Sequence, residues 1–390
     1  MNKIMYVPAI GEQFNSVWNR GLSYNNFDLK FFTKNSHFQH ESALQSVYYI
    51  LNGVAKNKSS YKEMIGYPKD KILFTDSAGF QIATFKKQGK PCNISPLDSL
   101  RLQEKNADIA FNLDVPPTLG ESVTLNEFNL ALSQSVDNFN LFEKNRQNYQ
   151  MKLLNVIHGE TIEFLDLWYN KVKHFNFDGW AIGVKPPFDP MLQALGFMYL
   201  LEKGEVDKNS CYNIHFFGTS GKNVVPTIAY ASQKVNKKIM ISYDSSSYNI
   251  GSIYRTYYMP LDVGDSLSFG EKFKIKNPNI TTLPCECPVC KQINKIEDLN
   301  TKDIYAGTLI SLHNMYQYIY YNNIINSLIS TQDKFTAYLE AMKINKSTLT
   351  SFEFIDYAIE NNVEKAFRKY KTHFQQQVEQ KKKQTNVWGF

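Results

Sequence analysis

Six short runs rich in β-branched and aromatic residues, each followed by a helical or loop segment, restrict this chain more than any other feature of its sequence. They are KILFTD (71–76), DIAFNLD (108–114), KLLNVIHG (152–159), GWAIGVK (179–185), YNIHFFGTSG (212–221) and KIMISYDSS (238–246). The segments between them, roughly 20 to 35 residues each, include SPLDSLRLQEKNA and NVVPTIAYASQKVN and suit crossover helices. Strands that alternate with helices imply a parallel sheet. Two further runs, KIMYVPAI near residue 3 and FDLKFFTKN near residue 27, bring the number to eight. Eight βα units within about 250 residues predict an α/β fold of the (β/α)8 TIM-barrel kind, with a doubly wound open sheet as the structural alternative.

How the runs end matters more than how they begin. Asp76, Asp114, His158 with Gly159, Gly183, Gly218 and Asp244 all stand at the C-terminal edge of a predicted strand. One such residue would be a turn or a helix cap. A barrel, however, builds its active site from that edge, so six strands deliver site-like residues to one rim.

Beyond residue 260 the pattern changes to turn-rich sequence and then to long, polar-aromatic segments of helical period. This places the barrel at 1–260, a zinc-binding subdomain at 261–330 and a basic helical extension at 331–390. Cys92 and Cys211 are isolated, as inert core cysteines are. Cys285, Cys287 and Cys290 instead crowd into C-x-C-x-x-C, with 22 residues between Cys290 and His313. Three thiolates and one imidazole complete a tetrahedral Zn2+ with no open position, the structural kind of site.

A chain that is 43% hydrophobic can bury a full-sized core. No run of about 18 apolar residues is present and the N-terminus lacks the order of a signal peptide, so the expectation is a cytoplasmic protein with no membrane segment. The net charge of +6 gathers partly in KAFRKYKTHFQQQVEQKKKQ (365–384), which suits a solvated helix face or a phosphate-contacting one.

Read in order, the motifs resemble those of the tRNA-guanine transglycosylase superfamily over roughly residues 70 to 320. FTDSAGFQ resembles its DSGGFQ, and ISPLDSLRLQEKNADIAFNLDVPP resembles its SPE…IQ…GADI…DECP segment. VIHGE sits where the family has VQGG, DGWAIGVK resembles GYAIGGL, FFGTSG resembles LMGVG, and SYDSSS resembles FDCVLPT. The cysteine cluster and LHNMYQY are similar to its zinc site and following helix.

The resemblance implies a (β/α)8 barrel with a zinc subdomain that exchanges guanine for a 7-deazaguanine in a polynucleotide without breaking the backbone. Exchange at C1′ with retention needs two displacements, for which a carboxylate nucleophile is suited. By resemblance Asp244 is that nucleophile, Asp76 the general acid and base, and Asp114 the carboxylate that accepts from the guanine edge. Phe80 would stack on the purine or else pack in the core, and Gly183 would let backbone amides reach the base. Ser77, Gln81, His158, Gly159 and Gly218 complete the expected base-binding shell, and Lys185, Lys222, Arg255 and the lysine-rich tail are candidate polymer contacts. The target nucleotide would have to leave its stack.

Departures fall outside the catalytic and zinc positions. Ala78 replaces a glycine, adding a methyl that would seat the base differently; His158 replaces a glutamine and Glu160 a glycine. GVKPPFD replaces GGLAVGE, where the family reads the 7-substituent, and SSSYNIGS replaces PTRNGR, which belongs to anticodon-loop recognition. Changed polymer-reading positions fit the DNA-modifying branch, which inserts preQ0-like bases into DNA. A divergent tRNA-guanine transglycosylase is the alternative, and a non-catalytic nucleic-acid-binding accessory subunit a third reading. The partners implied are DNA or tRNA, a free 7-deazaguanine, and a second copy or accessory proteins that open the duplex.

Overall fold

All six runs between residues 71 and 246 form parallel strands. The computed structural model describes residues 2–53, 60–90, 92, 94–117, 123–183, 189–260, 272–274, 283–301, 303–342, 344 and 346–374. Its main sheet has eight strands: β1 Ile4–Pro8, β2 Ser42–Ser46, β3 Ile72–Asp76, β4 Ile109–Phe111, β5 Lys152–His158, β6 Gly179–Gly183, β7 Asn213–Phe216 and β8 Met240–Ser245. Each pairs in parallel with its sequence neighbour from β2 to β8, and β8 returns to β1 with Val7 opposite Asp244. Between β1 and β2 one bridge, Ala9 to Leu44, brings the ends together, with Ile10 N–H donating to the Leu44 carbonyl at 2.7 Å. The result is a nearly closed parallel barrel flanked by helices.

The strand expected near residue 27 is a correction. Only Phe27–Asp28 pairs there, antiparallel to Ser23–Tyr24, while Leu29, Phe31 and Phe32 bury without joining the barrel. Phe31 and Phe32 lie 5.8 and 5.1 Å from the Trp18 ring, so their apolarity marks packing rather than a strand. The second barrel strand is SALQS, whose five residues are all buried despite three polar side chains.

Local signals set the crossovers. Ser95 and Asp98 form a capping box ahead of Pro96–Asn106, and Thr124 with Glu127 does the same for Leu125–Asn145. Thr161 and Asp189 cap Ile162–Val172 and Pro190–Glu202. Aspartates at the opposite, N-terminal edge are structural. Asp108 takes Lys62 at 2.6 Å and the Leu73 N–H at 2.7 Å, and Asp178 takes Arg146 at 2.8 Å and the Leu153 N–H at 3.0 Å. Each ties a strand to its neighbour, as expected of the barrel's stability face.

The long helix Ile304–Leu328 lies against β1, where Asn326 bonds both the N–H and the carbonyl of Ile4 at 2.9 and 2.8 Å. One apolar core runs from the barrel through Met315, Ile325, Phe335 and Phe354 of the later helices. The lysine-rich tail beyond residue 374 and most of 261–282 lie outside the described residues. Among the described residues no helix is long and apolar enough to cross a membrane.

Candidate active site and metal centre

Period-two geometry on β3, β4, β7 and β8 turns alternate residues into the barrel. Phe74, Phe111, His215 and Phe217 meet there, with ring centroids 4.6 to 5.6 Å apart between Phe111 and Phe217, Phe111 and His215, and Phe74 and His215. Above this aromatic floor stand the strand-end carboxylates Asp76, Asp114 and Asp244. Burial pushes the Asp76 carboxyl up to about 7, and the neighbouring Asp114 and Asp244 charges push the same way, against hydrogen bonds from the Ala78 N–H and Ser46. A carboxylic acid that holds its proton near neutrality suits general acid and base work.

Asp244 is 8% exposed and held asymmetrically. Its Oδ1 accepts from the Gly218 N–H at 2.8 Å and from His215 Nε2 at 3.1 Å. No bond to Oδ2 is seen among the described residues. Gly218 has φ +64, a left-handed conformation open to glycine at little cost, so the turn can aim its N–H at the carboxylate. Gly218, expected in the base-binding shell, thus also serves the carboxylate directly. His215 was missed altogether, yet the alternation in NIHF and ISYD puts Asn213, His215, Ser242 and Asp244 on one face of neighbouring strands.

Asp114 and His158 form a second pair, Nε2 to Oδ2 at 2.7 Å. Two glycines make room for it. A Cβ on Gly183 would stand 2.2 Å from the His158 ring, and one on Gly79 would stand 2.4 Å from the Asp114 carbonyl oxygen. Gly183 therefore yields space to an imidazole, and Gly79 brings the β3 turn onto the β4 turn. Gly159 packs against the next helix, where a Cβ would meet the Leu165 N–H nitrogen at 2.7 Å.

The remaining expected residues divide. Phe80 is 58% exposed, which rules out core packing and leaves its ring face available. Ser77 is buried and donates to the Asn112 carbonyl at 3.3 Å. The Gln81 side-chain carbonyl is buried with no partner among the described residues. Ala78 has φ +68, a conformation costing an L-residue roughly 1 to 2 kcal/mol, and its methyl is buried in a small cluster with Val47 and Ile94. Arg255 donates to the carbonyls of Thr301 and Asp303, at 2.7 and 3.5 Å, which makes it a structural tie. Lys222 is partly exposed, and Lys185 lies outside the described residues.

The cysteine cluster assembles as the spacing implied. Cys285, Cys287, Cys290 and His313 are all buried, and their donor atoms lie within 4.8 Å of one another. Cys287 and Cys290 sulfurs stand 3.4 and 3.2 Å from His313 Nδ1. A tetrahedral ion with bonds of about 2.3 Å to sulfur and 2.0 Å to nitrogen separates such donors by about 3.5 Å, so the group can hold one metal ion. His313 Nε2 meets the Tyr258 carbonyl at 2.7 Å, which places the ring proton there and frees Nδ1 as a ligand. Backbone N–H groups of Cys287 and Cys290 donate to the preceding sulfurs, each at 3.4 Å, and Tyr257 stacks 3.8 Å from the His313 ring. Compared with protein-family models and with curated proteins, the chain matches none.

Proposed function

We propose that this chain is a guanine transglycosylase that exchanges guanine for a 7-deazaguanine, such as preQ0, in DNA. The observation that carries the reading is the pairing of two differently prepared carboxylates at one barrel mouth: Asp76, raised to about 7, and Asp244, bound among the described residues through Oδ1 alone. A binding module needs neither preparation. Exposed Phe80 offers the extruded base a stacking face, and the Asp114 and His158 pair offers polar atoms to its edge.

The chemistry balances without a redox partner. Asp244 Oδ2 bonds to C1′ while the bond to the guanine nitrogen breaks, and that electron pair leaves with the base, which takes the proton held by Asp76. In the return step Asp76 accepts the corresponding proton of the incoming 7-deazaguanine, whose nitrogen bonds to C1′. The C1′–Oδ2 bond breaks as that nitrogen bonds, and its electrons return to Asp244. Two inversions give retention. The three-thiolate, one-imidazole donor set fits Zn2+, which would supply structure and no reacting group.

Incubating the protein with labelled guanine or preQ0 and either duplex DNA or tRNA tests the proposal. Label is expected in DNA; label in tRNA alone would select the tRNA reading, and label in neither would leave the accessory-subunit reading. The pH dependence follows from Asp76. Single-turnover guanine expulsion needs the protonated acid, so its rate should be level below about pH 7 and fall about tenfold per unit above it. Incorporation of the new base needs the carboxylate, so its rate should rise about tenfold per unit up to about pH 7 and be level above it. For stability, a carboxyl that binds its proton more tightly folded than unfolded favours the fold at low pH, and that contribution is lost as pH rises from about 4 to 7. Expulsion that is flat from pH 6 to 9 would remove Asp76 from the acid role.

A further inference from the structure

We infer that His215 is a positioning residue that selects which oxygen of Asp244 attacks. The inference rests on Asp244 being the nucleophile. His215 is fully buried among Phe74, Phe111 and Phe217 and satisfies both ring nitrogens, Nδ1 with Ser242 Oγ at 2.8 Å and Nε2 with Asp244 Oδ1 at 3.1 Å. Ser242 in turn meets Asn213 through both amide atoms, Nδ2 at 3.1 Å and Oδ1 at 3.2 Å. A serine hydroxyl facing one donor and one acceptor can turn its proton either way, so it keeps the imidazole partnered whether Nδ1 is bare or protonated.

The consequence for Asp244 is geometric. A carboxylate over an apolar floor could rotate and present either oxygen. Here Nε2–H and the Gly218 N–H converge on Oδ1 from β7 and the turn that follows it, which fixes the carboxylate plane and leaves the Oδ2 lone pairs for C1′. After Oδ2 is esterified, Oδ1 becomes the ester carbonyl and still accepts both bonds. When C1′ departs in the second displacement, the charge returning to the carboxylate is shared with Oδ1, whose donors are already in place. The imidazole never touches the sugar or the base.

Two measurements test this. With histidine labelled by 15N, the substrate-free protein should show the His215 Nε2–H as a slowly exchanging, low-field imidazole proton, and Asp244→Asn should shift it. An unmoved signal overturns the proposal without reference to activity. In single turnover, His215→Leu should slow guanine expulsion about 100-fold, with KM for the free base within about threefold of wild type. His215→Gln, whose amide N–H can reach the same oxygen, should recover at least about tenfold of that loss. Equal losses in the two variants, or a change confined to KM, would reduce His215 to a packing residue. Failure of the nucleophile reading looks different: Asp244→Asn would then keep transferring base while the imidazole signal still shifts, overturning the function assigned to the bond but not the bond.

Discussion

Asp244→Asn is expected to lower base exchange by about 10⁴-fold or more and to abolish any covalent complex between protein and polymer. The amide keeps the side chain's shape and can still offer an oxygen to the Gly218 N–H and to His215, both of which now bond Oδ1. The fold should therefore survive, which makes the loss diagnostic of chemistry. What the variant lacks is a second anionic oxygen, and an amide nitrogen has little nucleophilicity toward C1′. Denaturing gels of enzyme mixed with DNA and no incoming base would report the adduct in wild type and its absence in the variant. A fully active Asp244→Asn protein would remove the nucleophile assignment, whatever else the barrel mouth does.

Much of this architecture was legible because β-rich runs and their polar ends are local signals. Asp76, Asp114, His158, Gly183 and Asp244 each terminate or follow a strand that period and composition exposed. What sequence hid has physical reasons. SALQS forms β2 because barrel closure needs a strand there and because both serines find partners, Ser42 donating to the Tyr6 carbonyl at 3.0 Å and Ser46 bonding the Asp76 carboxyl, while the buried Gln45 amide has none among the described residues. FDLKFF looked stronger but spends its apolar surface on Trp18. His215 was concealed inside NIHFF, where an imidazole among aromatics resembles ordinary core, and only the neighbouring strand's Ser242 and Asp244 give it meaning.

Glycine and alanine positions at the rim depended even more on tertiary approach. No pattern in DSAGF says that the Ala78 backbone turns left-handed while its methyl packs against Val47 and Ile94. Nor does the sequence say that the vacancy at Gly183 is filled by His158, which pairs with Asp114. In the proposed function the base edge would thus be read by a carboxylate and imidazole together. The His158 ring needs the volume that a side chain on residue 183 would occupy, which ties this histidine to that glycine.

Metal removal is expected to damage both stability and exchange, because the cysteine cluster is wired to the strand end that carries Asp244. His313 sits on Ile304–Leu328, and its neighbour Asn314 bonds the Tyr258 N–H at 2.9 Å and the carbonyls of Thr256 and Tyr248 at 2.9 and 3.3 Å. Ser311 on the same helix donates to Asn249 and Ser252 at 3.1 and 2.6 Å. These bonds fix the segment that follows directly from Asp244. Without an ion, three closely packed sulfurs and an imidazole lose the charge that holds them together, and structural zinc binding is worth roughly 10 kcal/mol in small domains. In a chain whose large core persists, only part of that should appear, as a fall in Tm of about 5 to 10 °C for Cys287→Ser. The same variant should lose its stoichiometric zinc, become open to proteolysis between residues 247 and 260, and exchange base at least about tenfold more slowly. Unchanged Tm and protease resistance in metal-free protein would mean that the four residues close the cluster without an ion, and that the strand end is held by the helix alone.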